Sequence, residues 1–107
     1  MIRAIALAAV IATMPRVVVA QQYIPTCADF LAAARSGLTG AYTNYAAQVY
    51  MRLDEQRVTT GKPPIGLPPY GWSPSIDFWT RLCTGNPTQH FYNVVLSTYR
   101  LGAAMAN

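Results

Sequence analysis

The sequence predicts an all-α fold: a small four-helix domain stapled by one disulfide, with a long Pro/Gly-rich loop before the third helix. Three observations lead there. Apolar residues recur at helical spacing in four separate stretches, and no stretch alternates apolar and polar residues as a half-buried strand does. The cysteines, Cys27 and Cys83, each fall on one of those helical stripes.

The chain has 107 residues, room for one domain. Met1-Ile2-Arg3 opens with positive charge, Ala4 to Thr13 carries none, and Val18-Val19-Ala20 supplies small residues before Gln21. That layout predicts a secretory signal peptide over 1–20, cut after Ala20, with the helical domain over 21–107. The rival reading, an uncleaved anchor, needs about 20 apolar residues in a row, and Pro15-Arg16 interrupts the run. No stable membrane anchor is expected after cleavage.

Thr26 starts the first helix, with Asp29 placed three residues on for a capping box. Cys27, Phe30, Leu31 and Ala34 make its apolar face, and Gly37 stops it. The second helix runs from Thr39 or Gly40 to about Arg57, with Tyr42, Tyr45, Ala46, Val49, Tyr50 and Leu53 as its stripe. Gly61 to Pro74 reads GKPPIGLPPYGWSP, which no helix survives. It is either a strap packed on the core through Ile65, Leu67, Tyr70 and Trp72, or a Pro–aromatic binding loop. Ser73-Pro74 starts the third helix by a capping hydroxyl and a preorganised first turn. That helix carries Ile76, Trp79 and Cys83 on one face, an Asp77–Arg81 pair at helical spacing, and ends at Gly85. Asn86-Pro87 with Gln89 repeats the start signal for a last helix through Phe91, Val94, Val95, Leu96 and Tyr99.

Two cysteines behind a leader read as one disulfide in an oxidising compartment. A metal site would need more ligands, and His90 is the only histidine. A Cys83–His90 catalytic pair would need a free thiolate. The bridge closes a loop of about 57 residues, for which chain entropy gives about 4 kcal/mol.

At 52% hydrophobic and 11% charged, the chain is not a disordered tail. Its basic residues are scattered, so no nucleic-acid footprint forms. No site for catalysis, metal or cofactor can be assembled. Asp54 and Glu55 are adjacent and diverge by about 100° on a helix, which reads as a solvated face with Asp54 near Arg57. Ser97, His90 and Asp77 lack a nucleophile elbow, and Gly61-Lys62 lacks the rest of a phosphate loop. His90 is expected to pack half-buried in the last helix.

Two stretches resemble the HdeA/HdeB family of periplasmic acid-stress chaperones: Thr26-Cys27-Ala28-Asp29-Phe30-Leu31, and Leu82-Cys83-Thr84-Gly85-Asn86-Pro87. The plan of leader, two cysteines and all helices is similar too, although this chain has only four side-chain acids and one lysine. The resemblance implies an ATP-independent periplasmic holdase, folded and usually dimeric at neutral pH. In acid it exposes apolar surface and binds unfolded periplasmic proteins. It also assigns the bridge to Cys27 and Cys83. A client or homodimer surface is expected on Tyr42, Tyr45, Val49, Tyr50, Leu53, Trp72, Phe78 and Trp79. The pH-sensing candidates are Asp29, Asp54, Glu55, Asp77 and His90. The alternative is a secreted interaction module, such as an immunity protein, an inhibitor or an envelope-complex subunit, that binds one specific partner through its Pro–aromatic loop.

Overall fold

The computed structural model describes residues 24–106. The predicted leader and its cut site lie outside the described residues. Four helices follow in order: α1 (Cys27–Arg35), α2 (Gly40–Thr59), α3 (Ser73–Gly85) and α4 (Phe91–Ala106). Helix α1 packs on α3, α3 on α4, and α4 on α2. Phe30, Trp79, Phe91, Val94 and Val95 form the fully buried centre, together with both cysteines. Cys27 and Cys83 are joined, with their Cα atoms 4.9 Å apart.

The N-terminus of α1 shows why its residues sit where they do. A helix leaves its first N–H groups without intrahelical partners. Here Cys27 N–H donates to the Gln89 carbonyl and Ala28 N–H to that of Pro87, both at 2.9 Å. Asp29 N–H donates to Thr26 Oγ1 at 3.3 Å, and Asp29 Oδ2 accepts from Thr26 N–H at 3.0 Å, closing the expected capping box. The two stretches that carry the family resemblance therefore meet at one end of the molecule, around the disulfide.

Helices α1 and α2 end alike. Gly37 (φ +72) and Gly61 (φ +85) take the left-handed conformation that closes a Schellman turn. Leu38 N–H reaches back to Ala33, and Lys62 N–H to Arg57. Helix α2 thus runs two residues past Arg57, because Gly61 is its terminator.

Two expected starts are corrected. Helix α3 begins at Ser73 itself instead of after it, since Trp72 takes the N-cap position with helical dihedrals and its carbonyl accepts from Ile76 N–H at 2.8 Å. The Ser73 hydroxyl caps nothing, and Pro74 sits in the first turn. Asn86-Pro87 opens no helix. It makes a turn in which Gln89 N–H donates to the Asn86 carbonyl, while the Pro87 and Gln89 carbonyls accept from the first turn of α1, and α4 starts at Phe91. His90 consequently precedes α4, bridges to Thr26 through its backbone, and is exposed rather than half-buried. Arg81 lies over the Phe78 ring, 5.8 Å from its centroid, in place of the expected pairing with Asp77.

The proline-rich segment bears out the strap reading in part. Ile65 and Trp72 pack against the core. Leu67 and Tyr70 do not, being 49% and 89% exposed. Only part of the segment is a strap.

Candidate functional site

The side chains that organise the loop come from α2. Ala46, Tyr50 and Asp54 follow one another at four-residue spacing, so Asp54 continues the inward face instead of pointing to solvent with Glu55. This corrects the solvated-face reading of Asp54. Its Oδ1 accepts from the Tyr99 hydroxyl at 2.6 Å and from Ile65 N–H at 3.0 Å. Its Oδ2 accepts from Gly66 N–H at 2.9 Å. One turn on, Arg57 Nε donates to the Pro63 carbonyl at 2.8 Å. A single acid and a single arginine therefore hold three loop residues by their backbone, which is independent of loop side chains.

Burial alone would raise the Asp54 carboxyl pKa. The hydrogen bonds from Tyr99, Ile65 and Gly66, with the Arg57 charge, win, and hold it below the ordinary carboxylate value. Tyr99 shifts the other way: burial, then the bond to Asp54 and its negative charge, push the phenol up to about 12. The pair is a short charge-assisted hydrogen bond between a firmly neutral donor and a firmly ionised acceptor.

From Tyr99 an unbroken row of rings leads to the disulfide end. Tyr99 meets Tyr50 edge-on at 5.1 Å, Tyr50 meets Trp72 at 5.4 Å, and Trp72 meets Trp79 at 5.6 Å. Trp79 meets Phe91 at 5.2 Å, and Phe91 stacks on Phe30 at 4.9 Å. Tyr42 and Tyr45 join through Phe91 at 5.2 and 5.9 Å. Trp79 Nε1 is satisfied by Thr98 Oγ1 at 2.7 Å. Each such pair adds about 0.5–1.5 kcal/mol beyond burial.

The expected client or dimer residues are accordingly interior or half-buried in this form. Val49, Tyr50 and Trp79 are core side chains, and Tyr42, Tyr45, Leu53, Trp72 and Phe78 are packed against it. Of the titrating candidates, Asp29 serves the α1 cap and Asp54 the loop, while Glu55, Asp77 and His90 are exposed.

No protein-family model, curated protein or solved structure matches this chain.

The remaining chemistry is sparse. Ser97 donates its hydroxyl to the Asn93 carbonyl at 3.0 Å. Among the described residues no group of three or more His, Cys, Asp or Glu side chains is placed to hold a metal ion. None of the described helices is long and apolar enough to cross a membrane. Tyr99, Arg57, Ile65 and Gly66 form the site with Asp54; the sequence placed Asp54 near Arg57, Ile65 on the strap and Tyr99 on the last helix, but did not bring Tyr99, Ile65 or Gly66 to Asp54. The signal available was an acid on the inward stripe of α2.

Proposed function

We propose that the chain is a non-enzymatic, ATP-independent holdase of an oxidising envelope compartment such as the periplasm, closed at neutral pH and opened by acid. The observation that carries this reading is the Asp54 carboxylate holding the Pro-rich loop over the aromatic row. Protonation removes the charge to which Tyr99, Ile65 and Gly66 donate, so the loop loses its tether. Tyr50, Trp72 and then the Tyr42–Leu53 stripe become the apolar surface that takes up unfolded clients or a second copy of the chain.

Other charged groups near Asp54 set the background of the switch. Arg57, Lys62 and Arg100 line the cleft beside Tyr99, with Glu55 on the next residue of α2. Cationic neighbours favour the ionised acid, so opening is confined to strongly acidic conditions. Protonating all four acids together with His90 raises the positive charge, which repels compact forms and keeps complexes soluble. The buried disulfide keeps α1 and α3 together while the loop opens.

The test is aggregation of acid-unfolded malate dehydrogenase with and without the oxidised chain, at about pH 3 and about pH 7. Suppression only in acid supports the reading. Equal activity at both, or none, defeats it.

A second reading is favoured by one observation: Tyr70 stands 89% exposed on the loop. A module that binds one specific partner through that ring would retrieve it stoichiometrically at neutral pH, and a Tyr70→Ala variant would not.

A further inference from the structure

We infer that the groove between the proline-rich loop and the last turns of α4 binds a neutral, mostly apolar small molecule carrying one hydroxyl or carbonyl group. The inference does not depend on the chaperone reading. The groove encloses about 390 Å³, within the range of about 300–1,000 Å³ usual for small-molecule sites. Ile65 and Pro68 wall it on the loop side and Gly102 on α4. Gly102 matters to its shape: a Cβ there would meet Ile65 Cδ1 at 3.2 Å, a tight contact, so the missing side chain lets loop and helix come this close without displacing Ile65.

Two polar side chains make this more than an apolar crevice. Tyr50 and Ser75 line the groove and are only 4% and 8% exposed. Neither hydroxyl has a hydrogen-bond partner among the described residues. No side-chain oxygen sealed from solvent is left unpaired there, so each hydroxyl keeps some solvent contact, and both residues line the groove. Thr98, also in the wall, is already committed to Trp79 and to the Val94 carbonyl. Two hydroxyls without partners, on nearly buried residues beside an apolar volume, are complementary to a ligand with one polar group on an apolar body.

The charge of the ligand follows from the lining. Among the described residues, no Asp, Glu, Lys, Arg or His borders the groove, so a carboxylate or ammonium would leave water with no counter-charge to meet it there. Burial pushes the Tyr50 phenol up to about 12, so it remains a donor at any physiological pH.

Amide chemical-shift NMR of the oxidised chain at neutral pH tests this with three probes of one shape: β-naphthol, naphthalene and β-naphthoate. Saturable shifts at Ile65, Gly66, Ser75, Thr98 and Gly102 are expected with β-naphthol, weaker ones with naphthalene and none with β-naphthoate. Tyr50→Phe and Ser75→Ala should each weaken β-naphthol about fivefold to tenfold, the worth of one neutral hydrogen bond, and leave naphthalene unchanged. Four results overturn the proposal: no saturable shift with any probe, β-naphthoate binding as well as β-naphthol, shifts centred elsewhere, or both variants binding β-naphthol as the parent does. Shifts at the same amides that grow with protein concentration alone would make the groove a contact between copies, which also overturns it.

Discussion

The Tyr99 hydroxyl and Asp54 Oδ1 lie 2.6 Å apart across 45 residues of sequence, joining α4 to α2 at the point where α2 also holds the loop. Asp54→Asn removes the charge and one of the acceptor oxygens, and should cost about 1–3 kcal/mol at neutral pH. Tyr99→Phe should cost less, because Ile65 and Gly66 still donate to the carboxylate. Urea unfolding of both single variants and the double variant measures the coupling. Additive losses would show that the bond contributes nothing of its own.

The pH dependence has a definite sign. The folded Asp54 carboxyl is held below its ordinary value, so its stabilising contribution is complete above the unfolded value of about 3.9 and fades as pH falls through the lower folded one. Parent and Asp54→Asn stabilities should therefore differ most above about pH 4 and converge in stronger acid. A constant gap down to the lowest accessible pH would contradict the assignment.

Particular residues show what the sequence could and could not say about this. The stripes of α1 and α2 and the cap at Thr26 and Asp29 rest on neighbours within four residues, so spacing alone reveals them. Asp54 looks like a surface acid beside Glu55, because its partners lie 11, 12 and 45 residues away and leave no local trace. Ser73 misled by one position, because Trp72 takes the N-cap place with helical dihedrals, and Asn86 misled because a capping-type residue marks a place where backbone groups need partners, not which helix they belong to. At Asn86 the turn serves the start of α1 instead of its own helix.

The disulfide should be the largest single contributor that one substitution can remove. Both sulfurs are buried, so Cys27→Ser with Cys83→Ser loses the loop constraint, worth about 4 kcal/mol, and leaves two hydroxyls in an apolar centre. Thermal unfolding with and without reductant checks this, with Cys27→Ala and Cys83→Ala separating constraint from polarity. An unchanged midpoint on reduction would show that packing alone suffices.

The cap at α1 makes a smaller and more local prediction. Thr26→Ala removes the acceptor for Asp29 N–H and should cost about 1 kcal/mol. Amide exchange should rise in the first turn of α1, while α2, which makes no use of this cap, keeps its protection. Uniform loss of protection would mean that the cap and the fold open as one unit.

Gly102→Ala sets two effects against each other within α4. Alanine is the better helix former by about 1 kcal/mol, but its methyl would sit 3.2 Å from Ile65 Cδ1. That neighbour is the far end of a half-buried loop side chain and can rotate away, so the helix gain should win and the melting midpoint should rise slightly. The displacement falls on the loop, so the Ile65 and Gly66 amides, which donate to Asp54, should exchange faster even as α4 is strengthened. Exchange read residue by residue separates the two effects. A destabilised α4 with unchanged loop amides would show that the loop is held too firmly for Ile65 to move.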